Sequence, residues 1–258
     1  MEVHDMPYLK SVCKAGKTKE IERYYTKRFH PRKEKRAPKQ NKTTEKQQAI
    51  NDRLTERKLT RVLNANFDST SWYLTHTYKK EERPPDIETL HKQRDKLIAD
   101  IRKLFKAEGK TLKYVETVEV GERGAVHIHM IINDIDIRKI RKLWKYGFVH
   151  ATPLDNSGQY RKLAKYFIKY FQKTRGTSDQ IQKKAYNCSR NLIRPEPEKK
   201  PMKGGSFSKD RDKIRVPKGW YLDKESIEEG TTEDGYEFFR YTLIRYQEYA
   251  RTKRKRRE

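Results

Sequence analysis

The feature that most constrains this chain is a hydrophobic run, residues 124–133, in which histidine occupies two alternate positions. The run is rich in β-forming residues, follows a Gly-Glu-Arg-Gly turn signal and ends at Asn133, and this pattern predicts a β-strand. Because side chains alternate between the faces of a strand, His127 and His129 lie on one face, roughly 7 Å apart. Two imidazoles at that distance can bind one metal ion if a neighbouring element supplies a third ligand.

Two glutamates before this strand are candidates for the third ligand, and the length of the hairpin loop decides between them. A three-residue loop with Gly124 in the left-handed conformation pairs Glu119 with His127. A four-residue loop shifts the pairing by one residue and brings Glu116 opposite His129. We prefer Glu119, because glycine suits the shorter loop, and keep Glu116 as the alternative. Most His-x-His pairs in strands are surface or core residues, so the metal site needs support from elsewhere in the chain.

The charge of the chain indicates a polyanionic partner. The sequence has 62 Lys and Arg against 36 Asp and Glu, which gives a formal net charge of +26. Nucleic acid is the expected partner, rather than a membrane, because no apolar run approaches the roughly 20 residues of a spanning helix and the N-terminus lacks a signal-peptide core. The two cysteines, Cys13 and Cys188, are isolated, as is typical of a reducing compartment. We therefore expect a soluble, cytoplasmic protein.

The order of the predicted elements favours an α+β fold. After a first helix, the central part of the chain alternates as strand, helix, strand, strand, helix, strand, with these elements predicted at 71–78, 87–109, 112–120, 124–133, 136–146 and 148–152. This is the order of a split βαβ unit, a ferredoxin-like or RRM-like antiparallel sheet with helices packed on it.

We divide the chain into three parts, which are a basic N-terminal arm and helix (1–66), a core (67–178) and a C-terminal extension with a basic tail (179–258). Residues 1–40 have no clear periodicity, and we expect an arm outside the core that serves as a solubilising tail or follows phosphates. A polar helix is predicted from 175 to Tyr186. Near the end, the apolar groups 219–222 and 238–244 suit a strand or hairpin packed on the core.

A helix predicted at 158–174 carries the most informative edge of the chain. Tyr166 and Tyr170 flank its apolar stripe, about 40° from each other, and Lys169 and Lys173 lie on the solvent side of the tyrosines. The stripe itself comprises Tyr160, Leu163, Ala164, Phe167, Ile168 and Phe171. One helix edge therefore presents two phenols beside two cations.

Together these features indicate phosphoryl transfer on a nucleic acid. A Mg²⁺ or Mn²⁺ ion would polarise a phosphate oxygen while a tyrosine attacks phosphorus and forms a covalent phosphotyrosine. A phenol with a pKa near 10 is a poor nucleophile at neutral pH, so it needs help from the metal and a lysine.

The same residues resemble the motifs of a known family, the HUH-type rolling-circle replication initiators of plasmids and small single-stranded DNA phages. Residues 127–129 resemble their His-hydrophobic-His motif, and residues 166–173 resemble their Tyr-x-x-Lys motif, here with a second tyrosine after the lysine. Residues 72–78 are similar to their first motif, a strand that normally ends Thr-Leu-Thr-Tyr, although His76 replaces the usual leucine. The position of Glu119 matches the acidic ligand, and the motifs follow the family order over 67–174.

The resemblance implies the HUH endonuclease fold and a role for each matching residue. His127, His129 and Glu119 would bind Mg²⁺ or Mn²⁺, Tyr166 would be the first nucleophile, and Lys169 would orient the phosphate. Tyr170 matches the second tyrosine of two-tyrosine members, or it packs at the margin of the core. We also expect four residues to contact DNA: Lys162, Lys173, Thr75 and Thr77.

The resemblance implies a metal-dependent, site-specific single-stranded DNA endonuclease and strand transferase that starts rolling-circle replication through a 5′-phosphotyrosine intermediate. Its partners would be single-stranded DNA at a replication origin and a host helicase and polymerase, because the sequence has no Gly-rich phosphate loop of a helicase. It would act in a bacterial cell or another host of a phage or plasmid. An HUH relaxase or transposase is one alternative, and a non-catalytic basic nucleic-acid-binding protein is another.

Overall fold

The computed structural model describes residues 8–26, 43–121, 124–202, 214–231 and 236–246. The chain forms two compact units, one made of Arg36–Pro195 and the other of Met1–Lys35 with Glu196–Glu258. This division differs from the three consecutive parts predicted from the sequence, because the two ends of the chain share one unit. No helix in the described ranges is long and apolar enough to cross a bilayer.

Ten strands and four α-helices are present in the described ranges. In chain order the strands are β1 (Tyr8–Ala15), β2 (Thr18–Tyr25), β3 (Trp72–Tyr78), β4 (Tyr114–Val120), β5 (Val126–Ile132), β6 (Gly147–Pro153), β7 (Asn187–Cys188), β8 (Glu198–Pro201), β9 (Trp220–Thr231) and β10 (Glu237–Arg245). The helices are α1 (Glu45–Asn66), α2 (Ile87–Ala107), α3 (Ile137–Leu143) and α4 (Arg161–Thr174).

The unit of residues 36–195 is built on an antiparallel sheet with the strand order β6-β3-β5-β4-β7. The four longer strands follow the split βαβ order, so the predicted α+β fold is confirmed. Helices α2 and α3 pack on one face of the sheet, where Phe105 and Ile140 join a buried cluster with Ile128. Helices α1 and α4 contribute Leu59 and Phe167 to a second cluster on the other face.

Helix α4 begins at Arg161, three residues later than predicted, because Gly158 has a positive φ of 68° and the chain becomes helical only after Tyr160. The backbone N–H of Tyr160 donates a hydrogen bond of 2.8 Å to the side chain of Asn64 in α1. Farther along, Arg175 donates two hydrogen bonds of 2.8 Å to Asp52. These contacts, together with the packing of α1 on α4, fix the position of the helix that carries the two tyrosines.

The second unit contains a five-stranded antiparallel sheet with the order β8-β1-β2-β10-β9. The prediction that residues 1–40 form an arm without regular structure is wrong for residues 8–25, which form the hairpin β1–β2 around a turn at Gly16 with a φ of 55°. Its inward side chains include Ser11 and Ala15, which are small, so the sequence carries no strong apolar alternation. Residues 1–7 and 27–40 of the predicted arm lie outside the described ranges.

Two predictions for the C-terminal part also need correction. Residues 175–186 form no helix, because Gly176 has a φ of 77° and the following chain lies on the sheet, where the side-chain amide of Gln182 donates a 2.8 Å hydrogen bond to Thr117. The apolar groups at 219–222 and 238–244 form the hairpin β9–β10, as strands of the second sheet rather than an addition to the first. The predicted basic tail lies outside the described ranges.

Candidate active site

The register of the β4–β5 hairpin places one glutamate among the histidines. Val120 pairs with Val126, and Glu119 pairs with His127, as the shorter loop predicted. Gly124 has the expected positive φ of 69°, which a side chain rarely adopts. Residues 122 and 123 of the loop lie outside the described ranges.

The alternative ligand, Glu116, does not share this face. It pairs with Met130 instead of a histidine, and its side chain is only 1% exposed within the cluster that α2 covers. There it accepts a 2.7 Å hydrogen bond from Asn187 and lies 3.8 Å from Arg94, while burial raises the pKa of its carboxyl group. The four-residue loop and its pairing of Glu116 with His129 are therefore wrong.

His129 is buried and is held through both of its ring nitrogens. Its Nδ1 lies 2.8 Å from the hydroxyl of Tyr73 and 3.2 Å from the hydroxyl of Thr75, both on β3. Its Nε2 lies 3.1 Å from Oε2 of Glu119. Burial lowers the pKa of His129, and the nearby Glu119 carboxylate only partly opposes this effect. The ring is therefore oriented and favours the neutral form that can bind a metal.

Tyr166 reaches the same point from α4. Its hydroxyl donates a 3.2 Å hydrogen bond to Oε2 of Glu119 and lies 3.4 Å from Nε2 of His129. The side chain is 42% exposed, so the hydroxyl is open to a substrate. Burial of the rest of the ring raises the pKa of Tyr166, and Tyr73 and Glu119 raise it further. Without other charges nearby, the phenol stays protonated.

His127 lies on the same face and completes the set of predicted metal ligands. Its ring centroid is 6.0 Å from that of His129, and the two rings are nearly parallel. Burial lowers its pKa, and the positive charges of Arg83 and His150 add to this effect against the opposing influence of Glu119. His127 therefore also favours the neutral, metal-binding form.

Within the described ranges, no three His, Cys, Asp or Glu side chains are already arranged around one point as metal ligands. Glu119 instead spends one oxygen on hydrogen bonds to His129 and Tyr166. The donor set itself fits a divalent cation, because it combines two neutral imidazoles and a carboxylate on neighbouring positions of one sheet face. Small side-chain rotations are needed to bring the three ligands together.

A cleft of about 580 Å³ opens beside this cluster, and its lining includes Glu119, Tyr166, Lys169, Tyr170 and Lys173. The hydroxyl of Tyr170 donates a 3.3 Å hydrogen bond to the backbone carbonyl of Asp179, and burial raises the pKa of Tyr170. Both tyrosines therefore line one cleft, but only Tyr166 contacts the predicted ligands. Both lysines are exposed on its rim.

The other residues predicted to contact DNA have different surroundings. Thr75 lies against His129, and the hydroxyl of Thr77 donates a 3.3 Å hydrogen bond to the backbone carbonyl of Phe148. Lys162 is exposed on α4 but does not line the cleft. Of the four predicted residues, only Lys173 belongs to the cleft.

Sequence reasoning missed three residues on the histidine face. Tyr73 holds the ring of His129, and His150 pairs with Thr75 beside it. Phe148 is 63% exposed, although it is a large aromatic residue. It lies in one row across the sheet with the residues that its neighbours pair, in the order Phe148, Thr77, His127 and Glu119. Alternation along β3 gives the face of Tyr73, but the other two residues require the pairing of β6 with β3.

Comparison with known proteins covers this part of the chain. Residues 71–175 match a family model of replication-associated proteins, the family that includes the ORF2 proteins. The matched region contains the histidine strand and nearly all of the unit's sheet together with α4, and it is less than half of the chain. No curated protein and no solved structure matches the chain.

Proposed function

We propose that this protein is a metal-dependent, site-specific single-stranded DNA endonuclease and strand transferase that initiates rolling-circle replication. The observation that carries the proposal is the meeting of the Tyr166 hydroxyl with Glu119 and His129 at one point of an open cleft. A nucleophile beside metal-binding side chains is the arrangement that phosphoryl transfer needs. The match of residues 71–175 to replication-associated proteins supports replication as the process.

The basic rim of the cleft suits a DNA strand. Lys169 and Lys173 extend from α4 next to Tyr166, where a phosphate that approaches the hydroxyl would pass between them and the sheet. We assign the orientation of that phosphate to Lys169. At the other end of the row that contains His127, the exposed ring of Phe148 offers a surface on which a base can stack.

In the cleavage step, the Tyr166 oxygen attacks phosphorus, the bond from phosphorus to the 3′ oxygen breaks, and the 5′ phosphate becomes joined to tyrosine. The phenol proton passes to the Glu119 carboxylate, which already accepts its hydrogen bond, and the departing 3′ oxygen takes a proton from water. The phosphotyrosine retains the energy of the broken bond, so a later hydroxyl can rejoin the strand.

A divalent cation, Mg²⁺ or Mn²⁺, held by His127, His129 and Glu119 would supply a Lewis acid for the phosphate and positive charge for the phenolate. Tyr73 and Thr75 orient His129 for this role through its other ring nitrogen. Because the surroundings of Tyr166 raise its pKa, we expect the phenol to be a poor nucleophile whenever that positive charge is missing.

Tyr170 is proposed as a second acceptor of the strand. It lines the same cleft as Tyr166, one helical turn farther along α4. Its present hydrogen bond to a backbone carbonyl is long, at 3.3 Å, and releasing it costs little. A host helicase and polymerase would complete replication.

The test is a covalent adduct to single-stranded DNA. Labelled oligonucleotides that tile the DNA flanking the coding gene are incubated with the protein and Mn²⁺, and adducts that resist SDS are measured. We expect one oligonucleotide to give an adduct at a 5′ phosphate, and Tyr166→Phe to lower the initial rate by about 1,000-fold or more.

Tyr246→Phe is the matched control, because Tyr246 is also exposed but lies in the other unit. An adduct that persists undiminished in a Tyr166→Phe, Tyr170→Phe double variant would falsify the proposal. Salt-sensitive binding without any adduct would instead identify a non-catalytic DNA-binding protein. An adduct only at a transfer origin or an element end would identify a relaxase or a transposase.

A further inference from the structure

The second unit has a groove of its own, on the face of its sheet that bears Lys10 and Lys14. The groove has a volume of about 600 Å³ and runs over strands β8, β1, β2 and β10. All of its lining residues belong to the unit formed by the two ends of the chain. It is therefore separate from the cleft that holds Tyr166.

The rim of this groove is strongly basic. Six cationic residues line it, and Glu198 is its one acidic residue in the described ranges; the cations are Lys10, Lys14, Lys19, Arg23, Lys200 and Arg215. Strand pairing sets their spacing, because Lys10 is opposite Arg23 on one side and Lys200 on the other. Neighbouring strands are about 4.8 Å apart, so these three residues form one row across the sheet.

A second basic row lies four residues farther along β1, where Lys14 is opposite Lys19. The rise of a strand puts the two rows about 13 Å apart. Between the rows the floor of the groove is apolar and partly aromatic, with Val12, Ile21 and Tyr241. Cations therefore border the groove at both ends, and apolar side chains line the space between them.

An aromatic group adjoins the first basic row. Tyr8 lies two residues before Lys10 on β1, and its ring centroid is 4.7 Å from that of Tyr25 on β2. Tyr25 is in turn 5.9 Å from Tyr236. Tyr25 and Tyr236 are partly exposed. The groove thus combines the two features that bind a flexible nucleic-acid strand, which are cations for its phosphates and flat apolar surfaces for its bases.

We propose that this groove is a second binding site for single-stranded DNA, which holds the strand that flanks the cleavage site. A single strand can direct phosphates to both basic rows while its bases lie on the apolar floor. A duplex keeps its bases stacked inside and presents only phosphates, so it would leave that floor unused. The inference rests on the proposed function for the identity of the strand as DNA.

The test compares two triple variants of the full-length protein. Lys10→Gln, Lys14→Gln, Lys19→Gln removes three charges from the groove, and Lys92→Gln, Lys96→Gln, Lys103→Gln removes three from the exposed face of α2. Binding of a fluorescent oligothymidylate, which contains no specific cleavage sequence, is measured by anisotropy over a range of salt concentrations. A matched DNA hairpin is measured in parallel.

We expect the groove variant to bind oligothymidylate at least about 10-fold more weakly and to lower the slope of log K against log[salt] by about 2, since each lost phosphate contact contributes about 0.7. The α2 variant should change little. Equal losses in both triple variants, an unchanged slope in the groove variant, or a loss confined to the hairpin would each overturn the assignment.

Two further measurements separate this inference from folding and from catalysis. In the wild-type protein, oligothymidylate should protect Lys10, Lys14 and Lys19 from acetylation, as measured by mass spectrometry, and absence of protection counts against the groove even if the variant misfolds. Adduct formation on a short oligonucleotide limited to the cleavage site should be the same in the groove variant and the wild type. Loss of wild-type adduct would refute the proposed function but would leave the binding result standing.

Discussion

The two faces of the first sheet contain the same kinds of ionisable residue in opposite situations. On the face covered by α2 and α3, His76 and Glu116 are buried in the core. On the face that α4 covers, His129 and Glu119 contact each other and the hydroxyl of Tyr166. Each pair of like residues differs by an odd number of positions in the strand register, so the pleat alone sends one to the core and the other to the site.

The physical cost of burial also differs between the faces. Burial lowers the pKa of His76 to about 4, and it raises the pKa of Glu116, because the core offers these groups too few polar partners. On the site face, His129 has polar neighbours at both ring nitrogens. A histidine or glutamate in this sheet is therefore a candidate for chemistry only if it shares the face of α4.

The largest contrast is expected between Glu119→Gln and Glu116→Gln. Glu119→Gln removes a charged metal ligand and the acceptor of the Tyr166 proton, so the rate of adduct formation should fall by about 100-fold or more. Glu116→Gln preserves the shape of a buried side chain on the opposite face, and we expect its rate to stay within about 3-fold of the wild type. Initial rates with Mn²⁺ measure both. Comparable rates in the two variants would remove the distinction between the faces.

A second contrast concerns acid stability. Because the pKa of His76 is about 4 in the folded protein and near 6.5 when unfolded, the unfolded chain binds more protons between these values, and stability falls as pH falls through this window. From pH 7 to pH 5 this loss is about 2 kcal/mol. Urea unfolding at both pH values should show that His76→Leu loses about 2 kcal/mol less than the wild type.

The same His76→Leu variant should keep its adduct-forming activity at pH 7, because the side chain lies on the core face. An acid sensitivity that matches the wild type would mean that His76 is not the group responsible.

The smallest contrast concerns two exposed apolar side chains. Phe148→Ala removes the exposed ring at the end of the His127 row, and we expect about 10-fold weaker binding of the cleavage-site oligonucleotide, since stacking of one base contributes about 1–3 kcal/mol. Leu54→Ala shortens a side chain that is also exposed, on α1, and should leave binding unchanged. Titration in the absence of divalent cations measures binding without cleavage. Equal affinity of the Phe148→Ala variant and the wild type would exclude the stacking role.

Much of the site could be predicted because its information is local in the sequence. Gly124 determined the hairpin loop, and the loop determined the pairing of Glu119 with His127. The apolar stripe of α4 likewise gave the edge on which Tyr166 and Tyr170 lie. These inferences needed only the geometry of one hairpin and one helix.

The parts that could not be predicted depend on contacts between distant segments. The exposed Phe148 joins the site only because β6 pairs with β3, and β2 becomes a strand because it pairs with β10, more than 200 residues later. The sequence of β1 and β2 alternates small, polar and charged residues, which lack the apolar period of an ordinary strand. No local pattern reports such pairing.

The second sheet also has a consequence for how the protein forms on the ribosome. Its strand β2 lies between β1 and β10, so the hairpin that is synthesised first cannot complete its sheet until nearly the whole chain has been made. At about 5–20 residues per second, that interval is on the order of 10 s or more, during which one edge of β2 has no partner strand. The unit that contains Tyr166 is encoded wholly within the interval and can fold first. Nascent chains are therefore expected to acquire the nicking unit before the sheet that carries the second groove.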